Sequence, residues 1–333
     1  MNRPISADPI RRHYNQWVSN EMLEDCALRF TALKRRRWSC MQVANTALGS
    51  ISFLALEAIG AAITLQYGWI NAVSAIVVVS VVIFLLGIPI AIHAAKAGVD
   101  IDLLTRGAGF GYLGSTITSL IYAGFTFIYF ALEAAIMATA LEVCFGIPLS
   151  VGYLLSSVVI IPVVVYGITM ISHLQRVTQY VWLLMQIAPF LFLAWQSVNP
   201  MEGWNGLGLP ARADSLAFDW LMFGAASAVV FSLVVQIGEQ VDYLRFLPVK
   251  THANRHQWRI ALFAAGPGWI IIGAVKMLAG GYLCLLAVKQ GLSLTHATDP
   301  VHLYINAWAN WLSPELALAI TGLLGIICQF KIN

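Results

Sequence analysis

The sequence predicts an all-α integral membrane protein that crosses the bilayer many times. Three observations carry that prediction. Of its 333 residues, 59% are hydrophobic and only 11% are charged, against about 25% charged in ordinary soluble domains. Apolar runs near the ~20 residues needed to cross ~30 Å of hydrocarbon recur along almost the whole chain beyond its N-terminal stretch. These runs are continuously apolar and do not alternate, which excludes the strands of a membrane barrel.

Residues 1–43 are polar and basic, with Trp17, Leu23, Leu28, Phe30 and Trp38 set among charges. They make a cytoplasmic amphipathic arm able to lie on the membrane surface, without the apolar core of a secretory signal. Residues 44–333 form the membrane domain, with spans expected at 44–66, 70–93, 111–143, 148–170, 178–197, 217–237, 260–288 and 313–333.

The first span carries Gly49, Ser50 and Ser52 early, and an acid, Glu57, further in. Small residues there permit either an unwound turn or close helix approach. The third span is long enough to be tilted. It follows a cluster of Gly107, Gly109, Gly111 and Gly114. With no strand before it, the cluster is not a nucleotide loop; it implies a tight turn and close packing where the chain re-enters the membrane.

A Gly-, Pro- and Asn-rich outer loop, Ser197 to Asp219, separates five spans from the three that follow. The sixth carries Gly224, Ala225, Ala226 and Ser227 near its middle, then Ser232, so it too is a candidate for interruption. Interrupted first helices in both halves are the mark of inverted-repeat transporters. The last span holds Gln329, Lys331 and Asn333 without a polar tail, so the sequence is expected to stop inside it.

With an N-terminus inside, fifteen of the nineteen Lys and Arg fall on cytoplasmic segments, and only Arg212 and Lys289 fall outside. The positive-inside rule therefore favours that orientation, in a cell inner (plasma) membrane. The basic residues line membrane edges and are not interleaved with stacking aromatics, which excludes nucleic acid as a partner. Five widely spaced cysteines read as free thiols. The seven histidines show no HExxH or CxxC spacing, so neither a metal nor another resident cofactor is expected. No nucleophile elbow or cofactor motif points to an enzyme.

The residue that stands out is Glu133, inside the apolar stretch GFTFIYFALEAAIMATAL from Gly124 to Leu141. A carboxylate there must face a protein interior, be protonated or have a partner, because facing lipid costs several kcal/mol. Glu57 raises the same question. It is a candidate for ion or proton coupling, or a partner for Lys276 or Lys331. Asp242 and Arg245, at the end of span six, read as an ion pair fixing that terminus.

The segment QIGEQVDYLRFLP, Gln236 to Pro248, resembles the stretch after the sixth helix of nucleobase:cation symporters, the purine and cytosine permeases. Asp242, Tyr243, Leu244, Arg245 and Phe246 carry the match. In span three the family places an aromatic that stacks on the substrate and, one turn later, an amide that hydrogen-bonds it; Tyr129 and Glu133 occupy those positions here. Their i, i+4 spacing sets both on one helix face, so a heterocycle stacked on Tyr129 could bond Glu133 at its edge.

A Glu in place of the amide departs from the pattern. So does Leu233 at the family's span-six aromatic, unless Phe231 substitutes. The resemblance implies a LeuT-type bundle of five plus five helices and two more, of which eight would be present. It also implies transport of a small planar nitrogen heterocycle of nucleobase, allantoin or hydantoin type, by alternating access coupled to Na+ or H+. Gly49, Ser50, Phe231 and Ser232 would complete the substrate site. Glu57 and Lys331 would serve ion coupling, with the Lys331 ammonium in the region where sodium otherwise binds. The FALEAA stretch, the basic arm and the terminal QFKIN also resemble permease-type domains fused ahead of bacterial sensor histidine kinases. The alternative function is therefore a sensory input domain for a downstream kinase.

Overall fold

The structure, a computed structural model, describes residues 30–31, 33, 36–165, 167–196 and 217–331. The predicted arm up to residue 29, the outer loop over 197–216 and the last two residues lie outside the described residues. Among those described, every regular element is helical.

Helix α1 (Cys40–Gly49) starts at Ser39, whose hydroxyl accepts from the Gln42 N–H at 3.1 Å. It tightens into a 3-10 turn, Ser50–Ser52, and Phe53 is extended before α2 (Ala55–Tyr67) resumes. The two halves are bent by 47°, so the first span is broken just after the small residues that suggested it. Gly68, at φ 83°, turns the chain into α3 (Trp69–Ala97), an uninterrupted span of 29 residues. Five-residue α4 (Ile101–Thr105) is capped by Asp100, and a kinked turn over Arg106–Phe110 leads into α5 (Gly111–Phe145).

That kink corrects one reading of the glycine cluster. A Cβ at Gly107, Gly109 or Gly111 would meet nothing within 4 Å, so these glycines do not serve close packing. Gly109 and Gly111 serve the bend, with φ of 108° and 64°.

The predicted fourth span is two short helices, α6 (Leu149–Val158) and α7 (Ile161–Val165), ahead of the long α8 (Gly167–Trp195). The sixth, a candidate for interruption, runs on as one continuous span, Trp220–Leu244. Helix α9 (Trp220–Phe231) passes straight through Gly224 to Ser227 and only tightens into a 3-10 stretch at Ser232–Gln236 before α10 (Ile237–Leu244). The predicted seventh span, 260–288, takes in two elements. Helix α11 (Arg255–Ala265) ends at Gly266, and the span is α12 (Trp269–Lys289). Then α13 (Pro300–Ala309) and α14 (Pro314–Lys331) follow. Six helices among the described residues are long and apolar enough to cross a membrane, seven with the bent pair.

Hydrocarbon gives no hydrophobic drive between helices, so close contact depends on small residues. Helices α2 and α12 meet backbone to backbone: a Cβ on Gly60 would run into the Met277 backbone, and one on Gly280 into that of Glu57. Gly322 and Gly325 let α14 approach α5 at Cys144, Phe145 and Ala140 in the same way. The resulting core gathers Ile51, Leu54, Leu56, Leu233, Trp269 and Tyr304, all fully buried, around the break between α1 and α2.

Candidate substrate site at the first helix break

Where α1 gives way to α2, the backbone loses its regular ladder in the protein interior; Ser50 to Ala55 are all buried. Backbone polar groups at that depth must find partners within the protein. Glu133 supplies two of them. Its Oε1 accepts from the Leu54 N–H at 2.9 Å and its Oε2 from the Ala55 N–H at 3.1 Å. The carboxylate thus caps the N-terminus of α2 from a different helix, where the helix dipole favours negative charge. Across the break, the Ser52 carbonyl accepts from the Trp182 indole N–H and the Cys328 thiol, each at 3.1 Å. Helices α5, α8 and α14 therefore hold the open turn together.

Tyr129 lies one turn before Glu133 and is 7% exposed. Its ring meets Phe53 edge-on at 5.7 Å and Phe125 at 4.5 Å, and its hydroxyl reaches the Ser232 side chain. Ser232 also donates to the Val229 carbonyl at 2.7 Å. Tyr129 thus lies between the break in the first span and the start of the 3-10 stretch in the sixth. Phe231 is 42% exposed, whereas Leu233 is fully buried, so the residue turned into the core after α9 is the leucine.

Gly49 and Ser50 are both buried at the break. A Cβ on Gly49 would collide with the Gln175 amide, which donates to the Lys331 carbonyl at 2.8 Å. The Ser50 hydroxyl donates to the Ala47 carbonyl and also meets the Glu239 carboxylate, which further receives Gln236 and, at 2.7 Å, the Tyr243 hydroxyl.

In the first turn of α2, Glu57 pairs with Lys276 at 2.6 Å, both side chains buried. The same Oε1 receives the Gln186 amide and, at 3.5 Å, the Tyr304 hydroxyl, while Oε2 has no protein partner. Of the two lysines considered for Glu57, the fold selects Lys276. The Lys331 ammonium instead donates to Gln179 at 2.9 Å and Thr178 at 3.3 Å. Both ammonium groups lie over the Trp182 ring, at 5.3 Å and 5.7 Å.

The expected Asp242–Arg245 side-chain pair is corrected. The Arg245 guanidinium faces Asp100 at 3.9 Å and donates to the Asp242 backbone carbonyl at 3.2 Å, whereas the Asp242 side chain accepts from the Ile101 N–H at 3.3 Å. The residues still tie α10 to the start of α4, through a different set of bonds. Among the described residues, no three His, Cys, Asp or Glu side chains are grouped to hold a metal. Cys40, Cys144, Cys284 and Cys328 are free thiols; Cys26 lies outside the described residues.

Sequence reasoning missed Trp182, Gln186, Tyr304 and Cys328. The signal for the first two was the stretch QYVWLLMQ, Gln179 to Gln186, whose polar and indole groups recur at helical spacing within an apolar run. Tyr304 and Cys328 gave none.

A polytopic helical bundle whose first span is broken, with buried polar side chains gathered at the break, has the architecture of a secondary transporter. The chain belongs to the family of permeases for cytosine/purines, uracil, thiamine and allantoin, whose family model matches residues 31–328. Among solved structures it is similar to Mhp1, a nucleobase-cation-symport-1 family transporter in a closed conformation with bromovinylhydantoin bound. That match has a TM-score of 0.57 at 15% identity and covers 92% of this chain and 74% of that one. What is shared at that identity is the fold, the LeuT-type helical bundle. No curated protein sequence matches the chain.

Proposed function

We propose that the protein is a permease-type carrier that binds a small planar nitrogen heterocycle, of nucleobase, allantoin or hydantoin type, and moves it by ion-coupled alternating access. The observation that carries the reading is the meeting of Tyr129 and Glu133 at the broken first helix. An ionised carboxylate has about four lone-pair sites, and two backbone amides use half of them. A ring N–H could therefore donate to Glu133 without displacing the helix cap, while the ring lies on Tyr129 once Phe53 swings aside. A ligand bound there would touch the break itself, which links binding to the angle between α1 and α2. Family membership and the hydantoin ligand of Mhp1 support this substrate class.

Gly49, Ser50 and Ser232 complete the proposed site, with Leu233 in the core where an aromatic is expected and Phe231 turned outward. Coupling to Na+ or H+ would run through Glu57, whose Oε2 lacks a protein partner, and Lys331, held on α8. The Lys and Arg asymmetry supports an inner-membrane location with residues 1–43 as a basic cytoplasmic arm. The family supports a carrier without enzymatic chemistry.

The test is uptake of radiolabelled uracil, cytosine, allantoin and hydantoin into proteoliposomes under imposed sodium or proton gradients. Accumulation of one of them, abolished by Glu133→Leu, is the expected result. Binding without accumulation under either gradient would favour the sensory-input reading. Unchanged binding in both Glu133→Gln and Glu133→Leu would sink the site.

A further inference from the structure

A groove of about 560 Å³ lies at the Ala97 end of α3, and its lining includes Leu33, Arg36, Lys96, Val249, Lys250 and Trp258. Its size falls within the ~300–1,000 Å³ of small-ligand sites. Three parts of the chain meet there: the segment before α1, the last turn of α3, and the start of the loop between α10 and α11. Among the described residues, every charged side chain in the lining is cationic. Among the described residues, neither Lys96 nor Lys250 has a carboxylate partner, and the Lys250 ammonium rests 5.0 Å over the Trp258 ring.

Arg36 is fixed in place. Its Nε donates to the Thr31 carbonyl and its Nη1 to the Ala95 carbonyl, each at 3.3 Å. Its guanidinium lies against Gly98, at φ 67°, where any Cβ would collide with it. The carbonyl end of α3 would by itself repel an anion. Two of those carbonyls are already spent, Ala95 on Arg36 and Ala94 on the Gly98 N–H at 2.7 Å.

The surroundings are those of a headgroup layer. Helix α3, long and apolar enough to cross a membrane, ends here, and Leu33 and Val249 are 69% and 51% exposed beside the cations. Helix α11 sets exposed Arg255, His256 and Arg259 next to exposed Ile260 and Phe263, the composition of an interfacial helix. Basic pockets between spans at this level suit anionic lipid headgroups.

We propose that this groove binds the phosphate of an anionic phospholipid, held by Arg36, Lys96 and Lys250, with Leu33 and Val249 against the first acyl carbons. Arg36 stands four residues before Cys40, so an occupied groove fastens the start of the broken first helix to α3. Lipid bound there would add a second tie between the start of α1 and α3, beside the Arg36 bond to the Ala95 carbonyl.

The full chain, reconstituted in phosphatidylcholine vesicles with and without phosphatidylglycerol, is released and its retained lipid weighed by native mass spectrometry. Phosphatidylglycerol should be retained over phosphatidylcholine. Each of Lys96→Gln and Lys250→Gln should lower that retention roughly fivefold, whereas Lys96→Arg, Lys250→Arg and the remote Lys289→Gln should not. Equal retention of both lipids, or wild-type retention in both glutamine variants, would overturn the proposal. So would displacement of phosphatidylglycerol by added inorganic phosphate, which would assign the groove to a soluble phosphate.

Discussion

Glu133→Gln keeps the size of the side chain and removes one acceptor, which makes it the sharpest probe of the helix break. The two backbone donors, Leu54 N–H at 2.9 Å and Ala55 N–H at 3.1 Å, each use one carboxylate oxygen. An amide offers a single oxygen, so its NH2 group must face the second N–H. A buried donor left unsatisfied costs about 1–3 kcal/mol, and the remaining bond loses its charge assistance and the attraction of a negative charge to the helix N-terminus. Against this stands the relief of no longer burying a charge, so a net loss of about 1–3 kcal/mol is expected. At ~2–4 °C per kcal/mol for chains of ~150–250 residues, the melting temperature in detergent should fall by several degrees.

Glu133→Leu leaves both donors unpaired and should fall further. Hydrogen exchange at the Leu54 and Ala55 amides, slow in the wild type, should accelerate in the same order. A leucine variant as stable as the wild type, with both amides still protected, would refute the view that this carboxylate holds the break.

Two further outcomes follow from the same geometry. Lys276→Met should destabilise the protein by about 3–5 kcal/mol by stranding a buried Glu57; adding Glu57→Gln should restore most of the loss, and a double variant no better than the single in thermal melts would argue against the pair. Tyr129→Ala should weaken binding of the transported heterocycle by about 1–3 kcal/mol, whereas Tyr129→Phe should bind within a few-fold of wild type by calorimetry; equal affinity in all three would remove the stacking role.

The break in the first helix was one of two readings that Gly49, Ser50 and Ser52 left open. Hydropathy, read one residue after another, sufficed for the membrane class and most spans, because crossing hydrocarbon is a local demand on composition. Glu133 was legible for the same reason: its neighbours within a turn are apolar, and Tyr129 shares its face by helical spacing alone. The sixth span, a candidate for interruption at Gly224 to Ser227 and Ser232, stays continuous and only tightens into a 3-10 stretch at Ser232–Gln236. Small residues permit an unwound turn but do not compel one, since an α-helix needs no outside partner to keep its own bonds.

What only the tertiary structure decided was who completes whom. The acceptor for the Leu54 and Ala55 amides comes from 79 and 78 residues along the chain, and the donors to the Ser52 carbonyl from α8 and α14. The choice of Lys276 over Lys331 for Glu57 depends on α2 and α12 packing backbone to backbone through Gly60 and Gly280. The sequence alone determined that a buried acid in this bundle had to find a partner, since hydrocarbon offers none. Which partner it found depended on distances between helices, and no periodicity along one helix contains them.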